Sequence, residues 1–282
     1  MFHKSSGLKL NYKKTEILNC GYDYNSKENP FNLSWVKERV YDIGTWLYKD
    51  ISQCTLINHE MRLQMMRNVI ESWKHRHASL YGKVAIIKSL IISKVNYCLS
   101  SLPTPQWFIK DVQNDINGFL WNNKPPRLKH TTAISDYKKG GIKMIDFESF
   151  VKAQKLCWIK RIATGNSTSL SVYLTDFVPS IPISEFLCCS IKPNDLPANI
   201  PLFYKQILHT WFLYKTKNEK PDYIALWYNQ NIKIDNSYVF YKKWYEKGIF
   251  LLKDLYDDNG TILSYIRLQN RYGLEIRKMD SR

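Results

Sequence analysis

Residues 79–99 read SLYGKVAIIKSLIISKVNYCL, and the spacing of the apolar residues in this stretch decides the fold class. The apolar residues that share one predicted face are Val84, Ile87, Leu90, Ile91, Val95 and Leu99. Apolar residues that recur every three or four positions are typical of an α-helix with one buried side. Ser79 is predicted to cap this helix. Lys83, Lys88 and Lys94 are predicted to point away from its buried face.

One further helix is predicted on each side of this stretch. In the preceding helix the apolar residues recur every four positions, at Ile57, Met61, Met65, Val69 and Trp73. The following helix begins at Thr104 and Pro105, where a capping hydroxyl precedes a proline at the first helical position. It ends before Pro125 and Pro126, and its predicted buried residues are Phe108, Val112, Ile116, Phe119 and Leu120. Short connections between the three helices predict a compact antiparallel bundle.

The sequence before residue 50 has a different pattern. Residues 8–12, 16–18 and 46–48 are predicted to be short strands, because apolar and polar residues alternate there or β-forming residues cluster. Together they predict the edge of a small sheet that is too small to be stable alone.

The sequence after the bundle is predicted to be mostly helical and rich in aromatic residues. Lys138 to Gly141 indicates a turn, and Asp146 is predicted to cap a fourth helix that ends at Gly165. Residues 166–200 are rich in Ser, Thr, Pro and Asn, which predicts a domain boundary. The elements predicted after it are a helix from Leu202 to Tyr214, aromatic segments at 227–228 and 238–245, a turn at 257–260 and a helix from Ser264 to Tyr272. The predicted fold class is therefore mainly α, with a small β portion at the N-terminus, a three-helix bundle and a helical, aromatic-rich C-terminal region.

The charge of the chain favours a polyanionic partner. The 282 residues include 41 Lys and Arg against 25 Asp and Glu, a formal charge of +16. Such an excess is typical of proteins that bind nucleic acid or an anionic membrane surface. Basic residues are concentrated in two blocks, which are Arg62, Arg67, Lys74, Arg76, Lys83, Lys88 and Lys94, and then Lys124, Arg127, Lys129, Lys138, Lys139 and Lys143. The two blocks predict one continuous basic surface if the fold brings them together.

Other classes of function are disfavoured by the sequence. No apolar run approaches the roughly 20 residues of a membrane span, and the N-terminus has no apolar segment of a secretory signal. The six cysteines match no zinc template and are predicted to be reduced thiols of an intracellular protein, nuclear or cytoplasmic. His75 and His77 have no third ligand at a suitable spacing, so no metal site is predicted. We expect neither a membrane nor a small-molecule partner, and the oligomeric state is left open.

Four motifs occur in a fixed order along the chain. They are Ser6-Gly7-Leu8-Lys9-Leu10-Asn11 with Lys14-Thr15-Glu16; Trp73-x-x-Arg76-x-x-Ser79-Leu80-x-Gly82-Lys83 with Ile86-Ile87-Lys88-Ser89; Phe119-Leu120-Trp121 with Lys124, Arg127 and Gly140-Gly141-Ile142-x-Met144-x-Asp146; and Lys247-Gly248-Ile249 with Asp254-Leu255-x-Asp257-x-Asn259-Gly260. Together these motifs resemble the reverse transcriptases of non-LTR (LINE-type) retrotransposons, in the part that follows the catalytic strand. The resemblance covers nearly the whole chain.

The resemblance implies a domain organisation and a nucleic-acid-binding surface. Residues 1–50 are expected to be a remnant of the polymerase palm edge, 51–125 a thumb-like helical bundle, 126–165 a connecting turn and helix, and 166–282 a C-terminal, mostly helical region. A thumb helix that lies along a template–primer duplex meets phosphates and reads no bases. The candidate nucleic-acid-binding residues are Arg76, Lys83, Lys88, Lys94, Lys124 and Arg127.

The departures from the family pattern concern its catalytic centre. In the family, aspartates on two palm strands hold two divalent ions. The second of these strands carries an F/Y-A-D-D turn just before the first motif. Only five residues precede Ser6 in this sequence, and they contain no such turn. The adjacent aspartates of Tyr256-Asp257-Asp258 are followed by Asn-Gly, so they are expected to form an ordinary turn and not a catalytic one.

We therefore expect a truncated RNA-directed DNA polymerase that is not an enzyme as it stands. It is expected to have no catalytic residues, metal or cofactor of its own, with Mg²⁺ belonging only to a full-length relative. It would retain sequence-independent binding to RNA or RNA–DNA duplex through backbone phosphates. The alternative is a non-catalytic helical protein-interaction module, or a remnant without function.

Overall fold

The computed structural model describes residues 11, 13–18, 34–36, 38–163, 173–174, 176–177, 181–218 and 224–274. In this part of the chain the fold is mainly helical with a few short strands, which confirms the predicted fold class. The chain divides into two compact units, Met1–Val151 and Lys152–Arg282. The division falls inside a helix, whereas composition alone suggested a boundary within residues 166–200.

The first unit begins with two small sheets. Their strands are β1 (Glu16–Leu18), β2 (Ser34–Val36), β3 (Arg39–Asp42) and β4 (Thr45–Tyr48). The first two strands pair in parallel, and the last two form an antiparallel hairpin in which Val40 lies opposite Leu47. The predicted strands at 16–18 and 46–48 are confirmed. The predicted strand at 8–12 lies outside the described residues, apart from Asn11.

Helices make up the rest of the first unit, and the last of them continues past Val151 into the second unit. They are α1 (Ile51–Lys74), α2 (Leu80–Ile86), a π-helical segment (Ile87–Ile91), α3 (Ile92–Ser101), α4 (Gln106–Trp121), α5 (His130–Ile134), a 3₁₀ turn (Tyr137–Lys139) and α6 (Phe147–Ala163). The predicted caps are confirmed at Ser79, whose Oγ accepts a hydrogen bond from the Gly82 amide at 3.1 Å. They are also confirmed at Asp146, whose Oδ2 accepts from the Ser149 amide at 3.0 Å. At α4, Pro105 occupies the cap position predicted for Thr104.

The core of the first unit is made by α1, the helical run from α2 to α3, α4 and the start of α6. Its fully buried side chains include Met66, Ile87, Ile91, Val95, Leu99, Phe108, Val112, Ile116 and Phe147. The predicted bundle and the predicted buried face of α4 are therefore confirmed.

The buried face of α1 differs from the predicted one at several positions. Met65 is exposed, whereas Asn58 and His59 are buried. The Asn58 side chain accepts a hydrogen bond from the Trp46 amide at 2.8 Å and donates one to the Trp46 carbonyl at 2.7 Å. A polar residue is buried here because it satisfies the backbone of the hairpin, and an apolar stripe cannot reveal that requirement.

The helical run Leu80–Ser101 is long and apolar enough to cross a membrane, by length and composition alone. This is weak support for a span, because the core helix of a soluble protein has the same composition, and Ile87, Ile91 and Leu99 are fully buried in the core of the first unit. The π-helical segment has more residues per turn than an α-helix, which rotates the residues that follow. As a result Leu90, predicted to be buried, is exposed, and Ile92 is buried instead.

The second unit combines short helices with irregular, aromatic-rich chain. Its elements are α7 (Ile183–Phe186), a 3₁₀ turn (Pro193–Asp195), α8 (Leu202–Asn218), β5 (Lys233–Ile234), β6 (Ser237–Tyr238), α9 (Lys242–Glu246), a 3₁₀ turn (Leu252–Leu255) and α10 (Tyr265–Tyr272). The two predicted helices in this region are confirmed as α8 and α10. Trp227 is buried, and its Nε1 donates to the Ile249 carbonyl at 2.7 Å.

The aspartates at 257–258 form a turn, as predicted. Asp257 Oδ1 accepts hydrogen bonds from the amides of Asn259 and Thr261 at 3.0 and 2.8 Å. Gly260 has a φ of +74°, which glycine adopts without strain. Asp257 Oδ1 and the backbone are thus used by the turn itself, and Oδ2 is 3.9 Å from Arg267 Nη1.

Candidate nucleic-acid interface

Arg76 lies in the bend between α1 and α2 and is exposed. Its guanidinium carbon is 4.4 Å from the centroid of the Trp73 ring, which is the geometry of a cation–π contact. Seven positions separate Arg76 from Lys83, which would place both on one helical face only if both were helical. Arg76 lies outside the helices, so the two residues do not share a helical face.

Lys83 is buried, at 8% relative exposure, and does not face solvent as predicted. Its Nζ donates to the carbonyls of Phe119 at 2.9 Å and Leu120 at 3.4 Å, and to the side-chain oxygen of Asn122. Burial lowers the pKa of the Lys83 ammonium below its usual 10.5. The ammonium binds the C-terminal end of α4, where the last carbonyls have no helical partner. Lys83 is therefore a structural residue, and we remove it from the candidate phosphate contacts.

The other predicted cations, Lys88, Lys94, Lys124 and Arg127, are exposed. No ion pair joins any of them to an acidic side chain within the residues that the structure describes. Lys88 lies on the rim of a shallow groove of about 720 Å³ between the helical run and the start of α6. Their ammonium and guanidinium groups are available to an external anion.

Two contacts bring the two basic blocks of the sequence together. The first is the bond from Lys83 to Asn122, which holds the start of α2 against the end of α4. The second joins Tyr81 and Tyr137, whose ring centroids are 5.6 Å apart with an interplanar angle of 69°. The turn that carries Lys138 and Lys139 therefore lies beside α2. We call the region formed by Tyr81, residues 122–127 and residues 137–139 the basic end.

The turn in the basic end is held by its own backbone. Gly141 donates to the Asp136 carbonyl at 3.1 Å, and Lys143 donates to the Ser135 carbonyl at 3.0 Å. A Cβ added to Gly141 would lie 2.0 Å from the Ser135 oxygen, so only glycine fits. Gly140 has a φ of +73° and ends the 3₁₀ turn. The glycine pair thus serves a tight turn, as the sequence predicts, and fixes where Tyr137, Lys138 and Lys139 emerge.

Lys143 contributes to the same region through two contacts. Its Nζ is 2.9 Å from Asp136 Oδ1 and 5.1 Å from the centroid of the Tyr137 ring. The hydrogen bond to Asp136 raises the pKa of Lys143 above 10.5. Lys143 is therefore charged at neutral pH, and it supports the Tyr137 ring on one side.

Tyr81 and Tyr137 are the residues of the basic end that the sequence analysis did not single out. Both are more than half exposed, at 58% and 55%. An available signal was the segment Asp136-Tyr137-Lys138-Lys139-Gly140-Gly141, in which an aromatic residue stands beside two lysines at a turn. The contact between Tyr81 and Tyr137 spans 56 positions, so no local pattern reveals it.

The described residues hold no group of three or more His, Cys, Asp or Glu side chains that could bind a metal ion. The cysteines among them are free thiols, at Cys54, Cys98, Cys157, Cys188 and Cys189. His130 Nε2 is 3.0 Å from Asp146 Oδ1, and that carboxylate also caps α6. This pair joins α5 to α6. No protein-family model matches the chain.

Proposed function

We propose that this chain binds RNA or RNA–DNA duplex through its backbone phosphates, as a thumb-like part of a non-LTR retrotransposon reverse transcriptase. The observation that carries the proposal is the basic end, where Lys124 and Arg127, and then Lys138 and Lys139 11 positions farther along the chain, lie in two segments that each contact the start of α2. The role is one of binding and involves no chemical step.

The chemistry of these side chains supports phosphate contacts. Lysine and arginine that neutralise phosphates must be exposed and not already paired with carboxylates. Lys124, Arg127, Lys138 and Lys139 meet the first condition. None of the four has an ion pair among the described residues. Lys88 and Lys94 meet the same conditions farther along the helical run, and we retain them as secondary candidates.

A salt titration tests this proposal. The affinity for a labelled RNA–DNA duplex is expected to fall log-linearly with salt, with a slope of about −0.9 for each phosphate contact. Lys138→Ala and Lys139→Ala should each flatten the slope by about one unit. Lys242→Ala in the second unit removes the same charge from an exposed lysine that pairs with Glu246, and should leave the slope unchanged. Equal effects of all three substitutions would contradict a contact at the basic end.

A second candidate function, protein interaction, is favoured by exposed apolar residues on the β3–β4 hairpin. Ile43 at its turn is 76% exposed, and Tyr41 and Leu47 are also exposed. Exposed apolar side chains on one hairpin are typical of a surface that another protein covers. Sedimentation that shows a single monomeric species at every protein concentration would contradict self-association through this hairpin.

A further inference from the structure

We propose that Tyr81 and Tyr137 stack against unpaired bases, so that the basic end takes single-stranded nucleic acid in addition to the duplex backbone. This inference rests on the proposed nucleic-acid binding and specifies the part of the ligand that reaches the two rings. Two tyrosines with more than half of their surface exposed, beside a run of lysines, are the arrangement that single-strand-binding surfaces use.

The geometry of the pair leaves ring surface available to a base. The two rings meet at 69°, so one presents its edge to the other and its own faces remain clear of that contact. The Lys143 ammonium lies over Tyr137 at 5.1 Å and supports that ring from one side. A base can therefore lie on a ring that is already held in place.

Both rings are mounted on rigid backbone, which lowers the cost of ordering them. Tyr81 is in the first turn of α2, directly after the Ser79 cap. Tyr137 is in the turn that Gly141 closes against Ser135. Tyrosine has few rotatable bonds, so little conformational freedom is lost when a base stacks on it.

The chemistry of the rings selects unpaired bases. A duplex buries the faces of its bases in its own stack, whereas a single strand can turn a base face towards an aromatic side chain. Lys138 and Lys139 follow Tyr137 directly in the chain and can meet the phosphates on either side of a stacked base. Stacking does not read the 2′-hydroxyl, so RNA and DNA single strands share the chemistry that is recognised.

The test compares four labelled probes by fluorescence anisotropy: single-stranded oligouridylate, single-stranded oligothymidylate, an abasic strand with the same phosphates, and a blunt RNA–DNA duplex. Tyr81→Ala and Tyr137→Ala are each expected to weaken binding of the two base-bearing strands by about fivefold or more. Binding of the abasic strand and of the duplex should stay within about twofold. Because stacking does not read the sugar, the two base-bearing strands should lose affinity alike, and a loss confined to one of them would contradict stacking as the shared contact.

Two variants control for structural damage. Tyr81→Phe keeps the ring and should retain the affinity for the base-bearing strands. Tyr97→Ala removes another exposed tyrosine 16 residues farther along the helical run, roughly 24 Å away by helical rise, and should have no effect. The urea midpoint of each variant is measured alongside its affinity.

The outcomes separate this inference from the proposed function. If the duplex binds with the expected salt dependence and both alanine variants bind single strands normally, stacking is wrong and phosphate binding stands. If the alanine variants lose the abasic strand and the duplex equally, stacking is also wrong. If the unmodified chain binds none of the probes, both proposals are wrong.

Discussion

At Lys83, the same hydrogen bonds satisfy the buried ammonium and the last carbonyls of α4. The last carbonyls of α4 have no helical partner and carry partial negative charge. The Lys83 ammonium is buried and would be costly without acceptors, and it donates to two of these carbonyls and to Asn122. The residue type and position resemble those of a phosphate contact, but the partner is 36 to 39 residues away in sequence. Only the fold distinguishes the two roles.

Replacing Lys83 tests this structural role. Lys83→Met keeps most of the stem but removes the donor, which leaves the carbonyls of Phe119 and Leu120 without that partner. We expect the free energy of unfolding to fall by about 1–3 kcal/mol, the usual cost of buried polar groups that lose a partner. Lys88→Met, on an exposed site of the same run, should change it by less than about 0.5 kcal/mol. Urea unfolding measures both, and equal destabilisation would contradict the role assigned to Lys83.

At the scale of elements, the start of α6 depends on one carboxylate. Burial alone would raise the pKa of Asp146, but hydrogen bonds from Ser149 and His130 outweigh it and hold the pKa below 3.8. The ionised carboxylate also lies at the positive end of the helix. The folded state therefore favours the ionised form of Asp146. The ionised carboxylate stabilises the fold at pH values above the pKa of Asp146 in the unfolded chain, and this stabilisation is lost as the pH falls through its pKa in the folded chain.

Asp146→Ala is expected to lower the free energy of unfolding by about 1 kcal/mol at pH 7, because the N-cap is lost. The difference from the unmodified chain should shrink as the pH falls below 3.8, where Asp146 itself becomes protonated. Asp146→Asn keeps a capping oxygen and should retain most of the stability, with no such change in acid. Urea unfolding at a series of pH values measures the three curves. A difference that stays constant down to low pH would contradict the ionised cap.

The elements that the sequence predicts well are those defined by local chemistry. The caps at Ser79 and Asp146 and the turn at Asp257 each depend on residues within four positions of one another. The predictions that fail depend on distant partners or on helix phase. Asn58 is buried because it bonds the backbone of the hairpin at Trp46, a partner 12 positions away, and Leu90 is exposed because a π-helical segment shifts the helical phase.

The candidate site follows the same division. That Lys124 and Arg127 are exposed follows from their place in a polar, proline-rich loop, and sequence reasoning identified both. By contrast, the ring contact between Tyr81 and Tyr137 and the hydrogen bonds from Lys83 to α4 are long-range contacts. Periodicity describes one helix at a time, so it cannot say which cations a neighbouring helix will bury.

At the scale of the whole molecule, net charge does not distinguish the two units. The first unit has 22 Lys and Arg against 13 Asp and Glu, and the second has 19 against 12. A chain that bound nucleic acid by net charge alone would therefore use both units to a similar extent. A site at the basic end requires cations at defined positions, and the first unit holds such a set in its segments 122–127 and 137–139.

Hydrogen exchange in the presence of an RNA–DNA duplex distinguishes these two cases. We expect amide protection to increase around residues 76–94 and 122–143, because the bound backbone covers the start of α2 and the Tyr137–Lys139 turn. Segments of the second unit, such as α8 and α10, should exchange as in the free chain, and protection should fade at high salt as the phosphate contacts are released. Similar protection in both units would attribute binding to overall charge and would contradict a specific surface at the basic end.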